Sequence, residues 1–123
     1  RFLRAHLCVP DSIDGWIHHL RGFDASVNTR IHGTMMAVAA GTPCVCIAHD
    51  TRTRELTKVM HVPTIDVAGF LERRYSIREV MEATKFSGAA LHANRREIAA
   101  GFAAMVEAAG LTVSRHLRGF LDG

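Results

Sequence analysis

Residues Asp24 to Asp50 read DASVNTRIHGTMMAVAAGTPCVCIAHD, and their order predicts strand, tight turn, helix, strand. Asp24 to Asn28 forms the first strand, and Arg30, His32 and Gly33 fall in the turn. In the helix Gly33, Ala37 and Gly41 recur every four residues with Ala40 beside them. Such a small face lets a helix lie close to a sheet, while Met35, Met36 and Val38 pack at its sides. Gly41 is placed to stop the helix in the left-handed conformation, and Pro43 blocks continuation. Cys44 to Ile47 is the short apolar run of a strand covered on both faces. Repeated strand-then-helix units with short connections predict a Rossmann-like, three-layer α/β domain with a mostly parallel sheet.

In open α/β sheets, ligands sit beyond the carboxyl ends of the strands, against helix N-termini. Arg30 and His32 at that place suit an anion, because a guanidinium grips carboxylate or phosphate with two hydrogen bonds and a histidine can give a proton. The amides of Gly33 and Thr34 add backbone donors. His49, Asp50, Thr51 and Arg52 form a second strand-to-helix turn on the same sheet edge, so both turns can face one cleft. Plainer roles exist for each. Arg30 can pair with Asp24 or Asp50, His32 can be an N-cap or a satisfied core histidine, and the second turn can be an ordinary N-cap beside a solvated Arg52.

An Asp before a strand, then T-R-I-H-G, an Ala-rich helix, A-x-G-T-P, a hydrophobic strand and a polar H-D-T-R-T turn resembles the polysaccharide pyruvyl transferases. The resemblance runs from about Ile13 to Asp66. It implies the C-terminal half of a two-domain, glycosyltransferase-like (GT-B-type) enzyme with its active site in the cleft between two Rossmann-like halves. It also implies transfer of a pyruvyl group from phosphoenolpyruvate to a sugar hydroxyl of a glycan, as in exopolysaccharide biosynthesis. Arg30 and His32 match the family's donor-binding Arg and His, with His32 the catalytic candidate. Gly33, Thr34, Asp50, Thr51 and Arg52 are the further substrate-binding candidates. The acid that protonates the donor belongs, in that family, to the other half, so the isolated chain is expected to be inactive. No cofactor is implied, phosphoenolpyruvate being a donor substrate.

A chain of 123 residues is expected to be one domain with a usable core. It opens on Arg rather than Met, as a C-terminal fragment of a larger enzyme would, and the missing N-terminal domain would then be its partner. At 48% hydrophobic and 22% charged residues the composition is that of an ordinary globular protein. No apolar run reaches the about 18 residues that span a bilayer. The net charge of +3 comes from arginines spread along the chain. That argues against nucleic acid, which calls for a basic stripe with interleaved aromatics, and it suits an anionic small molecule. Three cysteines without a CxxC pair fit a reducing cytoplasm, with Cys44 and Cys46 as small buried hydrophobes on one side of a strand and not a metal site.

Elsewhere, Phe2 to Val9 predicts an opening strand. Asp11 or Ser12 caps a helix with Ile13, Trp16, Ile17 and Leu20 at helical spacing, ended by Gly22. Trp16 reads as a core anchor, and His18 and His19 as solvent-facing. Asp50 or Thr51 caps a helix to about Met60 with Leu56, Val59 and Met60 on its buried side. Thr64 to Val67 reads as a short strand. Ser76 and Glu79 form a capping box. Ser87 to Ala109 reads as a long helix with Leu91, Ile98, Phe102, Met105 and Val106 on one stripe, closed by Gly110. The apolar tail Leu111 to Phe120 either crosses to a first domain, as the resemblance implies, or packs on this one. The phosphate-loop, nucleophile-elbow and dinucleotide-loop motifs are missing. Two other functions share this fold class. One is the C-terminal half of a nucleotide-sugar glycosyltransferase or epimerase, disfavoured by the lack of a G-G-x-G-T turn and a late ribose-binding Glu. The other is a non-catalytic binding remnant.

Overall fold

The computed structural model describes residues 6–123. Three strands form a parallel sheet in the order β1 (Ser26–Asn28), β2 (Cys44–Ala48), β3 (Thr64–Asp66). Val27 pairs with Val45, and Ile47 with Ile65. Among the described residues seven helices surround it: α1 (Ile13–Leu20), α2 (Ile31–Ala40), α3 (Thr51–Val59), α4 (Val67–Arg73), α5 (Ile77–Thr84), α6 (Gly88–Ala108) and α7 (Arg115–Asp122). The α/β class and the parallel sheet agree with the sequence reading.

Local chemistry sets the helix starts. Ser12, Asp50, Asp66, Ser76, Ser87 and Ser114 each accept a hydrogen bond from a backbone N–H of the first turn they precede. Ser76 and Glu79 form the expected capping box, each side chain bonding the other's backbone N–H. Gly41 takes the left-handed conformation at φ 77° and ends α2.

All five residues of β2 are buried, so both faces of the central strand are covered. The core on one side gathers Leu20, Ala37, Cys44, Val62 and Leu91, with Trp16, Met36, Val38, Met60 and Phe86 packed around it. The small face of α2 is shorter than its spacing suggested. Gly33 and Ala37 are buried, but a Cβ at Gly41 would meet nothing within 4 Å.

Several expectations are corrected. Residues 2–5 of the opening strand lie outside the described residues, and Leu7 to Val9 is exposed and not strand. The buried face of α3 carries Thr53 and Thr57, while Val59 is exposed. Thr57 is admitted because its hydroxyl donates to the Thr53 carbonyl at 2.9 Å, which leaves only its methyl to pack. Val67 is the first residue of α4 and not the end of β3. On α6, Leu91, Asn94 and Ala103 are buried, whereas Ile98, Phe102 and Met105 of the expected stripe are exposed. The tail packs on this domain. Helix α7 lies against α6, and Arg96 donates to the carbonyls of Phe120 and Leu121.

Candidate functional site

Parallel pairing puts the ends of β1, β2 and β3 side by side, so three strand-to-helix turns share one edge. They differ chemically. At the third, Asp66 caps α4 through the Ala68 amide at 3.0 Å and holds Arg54 at 2.8 Å. These two contacts, the amide first, keep its carboxyl below the usual range. At the second, Asp50 caps α3 through the Thr53 amide at 2.6 Å, and His49 approaches it at 3.3 Å. The Thr53 hydrogen bonds lower the Asp50 carboxyl's pKa, with smaller help from the charges of His49 and Arg52. In both turns the chain's own carboxylate occupies the place an anion would take at a helix N-terminus.

The first turn is open. Arg30 is the N-cap residue of α2 in extended conformation, and no side chain caps that helix. Its first turn therefore presents the amides of Ile31, His32 and Gly33 without an intrahelical partner. Arg30 and His32 are both exposed and make no ion pair or side-chain hydrogen bond among the described residues. The ion pair with Asp24 or Asp50 that would have explained Arg30 is therefore not formed. A pocket of about 620 Å³ lies here, lined by Trp16, Val27, Asn28, Thr29, Arg30, His32 and Gly33.

Gly33 is where β1 and α2 come closest. A Cβ there would stand 2.9 Å from the Asn28 side-chain oxygen. Asn28 is itself positioned by an N–H donated to the Ser26 hydroxyl at 3.0 Å. Gly33 and Asn28 both line the pocket, so the close approach sets an oriented carboxamide beside the start of α2.

Of the candidates read from the sequence, Arg30, His32 and Gly33 come together. Thr34 does not join them: it is fully buried, and its amide and hydroxyl both donate to the Arg30 carbonyl, at 3.2 and 3.3 Å. Asp50, Thr51 and Arg52 stand at the neighbouring turn and do not line this pocket. Asn28, Thr29 and Trp16 were not among the candidates. Asn28 had a legible signal, being a short amide at the last position of a strand that precedes the turn.

Beneath the turn, Cys44 and Cys46 are fully buried. Desolvation, and secondarily the neighbouring Cys46, pushes the Cys44 thiol up to about 11, so it stays protonated. Among the described residues no group of three His, Cys, Asp or Glu is placed to hold a metal ion. No helix among them is long and apolar enough to cross a membrane.

An uncapped helix start, an unpaired guanidinium and an imidazole at the end of β1 suit an anionic ligand. Residues 2–51 match the family model for polysaccharide pyruvyl transferase. The resemblance read from about Ile13 to Asp66 is thereby borne out as far as Thr51 and not beyond; the matched segment contains every residue lining the pocket. No curated protein and no solved structure gives a significant match to the chain.

Proposed function

We propose that this chain is the donor-binding, C-terminal half of a GT-B-like polysaccharide pyruvyl transferase, which moves a pyruvyl group from phosphoenolpyruvate to a sugar hydroxyl of a glycan. The observation that carries the reading is the open first turn, with Arg30 and His32 unpaired at the one uncapped start among the described helices, inside the segment that matches the family. Phosphoenolpyruvate bears a carboxylate and a phosphate. The Arg30 fork grips one with two parallel hydrogen bonds. The amides of His32 and Gly33, at the positive end of α2, receive the other. The His32 ring donates to the phosphate oxygen that carries charge away as the bond to C2 breaks. An acid outside this chain protonates the enol methylene, C2 becomes electrophilic, a sugar hydroxyl adds there and gives up its proton, phosphate departs carrying one proton, and a second hydroxyl of the same sugar adds to C2 with loss of its proton to close the ketal. Without that acid the chain by itself releases no phosphate from phosphoenolpyruvate.

Titrating phosphoenolpyruvate into the chain by calorimetry, beside its Arg30→Lys variant, tests the reading. Lys keeps the charge and loses the planar fork. The expected result is binding by the wild type and clear weakening in the variant at unchanged melting temperature. No binding by the wild type, or equal binding by both, overturns it.

A further inference from the structure

We propose that Trp16 is the platform on which the acceptor sugar ring stacks, an inference that rests on the donor reading above and names the second substrate's place in the same pocket. Trp16 is the chain's sole tryptophan. It sits on α1, which Ser12 caps and which packs directly against α2. It is half-buried and packs against the core cluster that includes Leu20 and Ala37. It also lines the pocket that holds Arg30 and His32. Trp16 is therefore held by the core and presented to the pocket, unlike His18 and His19 of the same helix, which face outward.

The pocket's lining is chemically mixed. Arg30, His32 and the first amides of α2 make it cationic at the turn. Trp16 and Val27 make its lining apolar elsewhere, and Asn28 and Thr29 add neutral polar groups to it. A volume of about 620 Å³ is far more than one three-carbon phosphate fills. A pyranose fits the remaining chemistry. Its axial C–H groups carry slight positive charge and settle on the negative face of an indole. Its hydroxyls need neutral donors and acceptors at the edge, which Asn28 and Thr29 provide; Thr29 has no partner among the described residues. A ring seated there places a hydroxyl beside the donor's C2, converting an encounter of two substrates into a reaction within one complex.

The test uses the chain with saturating phosphoenolpyruvate and the methyl pyranosides of glucose, galactose and mannose. Saturation-transfer NMR with irradiation of the aromatic protons reports which sugar protons touch a ring, and emission from the sole tryptophan gives a second readout. The expected result is saturation on the axial C–H protons of at least one glycoside. It should be lost in Trp16→Leu and retained in Trp16→Phe at roughly three- to tenfold weaker affinity. Phosphoenolpyruvate affinity should stay unchanged in both variants. Undiminished glycoside signals in Trp16→Leu overturn the platform, as does the absence of any glycoside contact while phosphoenolpyruvate binds. Equal loss of phosphoenolpyruvate in Trp16→Leu also overturns it, because Trp16 would then only shape the pocket. Glycoside stacking on Trp16 without phosphoenolpyruvate binding leaves the platform standing and overturns the donor reading. Failure of both ligands to bind overturns both.

Discussion

The first and second strand-to-helix turns are built alike and behave oppositely. Each follows a parallel strand, each opens a helix, and each carries an Arg and a His within a few residues. At the second, Asp50 neutralises the helix start, draws His49 in and satisfies the Thr53 amide. At the first, the cap position holds Arg30, a cation where a small acceptor is usual, and nothing closes the helix start. The third turn, closed by Asp66 and Arg54, shows that closure is the habit of this edge. One residue per turn, carboxylate or guanidinium at the cap, separates a self-satisfied helix start from one receptive to an external anion.

The sharpest break of this comparison is removal of the first turn's cation. Arg30→Ala should weaken phosphoenolpyruvate by roughly 10- to 150-fold, the range for a charge-assisted hydrogen-bonding partner of about 1.5–3 kcal/mol, measured by calorimetry. Next is the close approach that shapes the open turn. Gly33→Leu should cost about 1–3 kcal/mol by overpacking against Asn28, read as lowered thermal stability. Gly33→Ala should displace only the Asn28 carboxamide and cost less. Closure of the second turn is smaller and pH-dependent. Because the Asp50 carboxyl titrates below its unfolded value, its stabilisation is full above the ordinary Asp range and is lost as pH falls through the lowered value. Asp50→Asn should therefore melt below the wild type at neutral pH and converge with it in acid. The smallest effect is expected at Arg52, on the closed turn. Arg52→Ala should leave phosphoenolpyruvate affinity within about twofold. A loss as large as that of Arg30→Ala would show that the two turns share the ligand and would dissolve the contrast.

What the sequence made legible was punctuation and order. Ser76 with Glu79, Ser87, Gly41 and the apolar run at Cys44 each state a local preference that the fold kept. The strand-turn-helix-strand order around Arg30 was equally plain. Hydropathy misled where polar side chains satisfy themselves. Thr34 and Thr57 return their hydroxyls to the carbonyl one turn back and pack as if apolar, so Thr34 left the site and Thr57 took the burial expected of Val59. Val67 misled because a β-branched residue after a strand reads as more strand, while Asp66 before it was already the cap of α4. Trp16 could be assigned to the pocket only in three dimensions, since nothing in its spacing brings α1 to the end of β1.

The Asn94 side chain has a different kind of consequence. Leu91 ties α6 to the core by contact between apolar groups, which rewards closeness and is indifferent to rotation. Asn94, buried on α6, donates to the Val59 carbonyl at the end of α3, at 2.8 Å. A hydrogen bond is directional, so this one amide acts as the key of a shaft: it selects a single rotation and a single height for a helix of 21 residues. Exchange for Leu would preserve the grease and discard the key. The helix would still adhere, but as a set of near-equivalent seatings, and its placement against α3 would lose definition before the domain lost its cohesion.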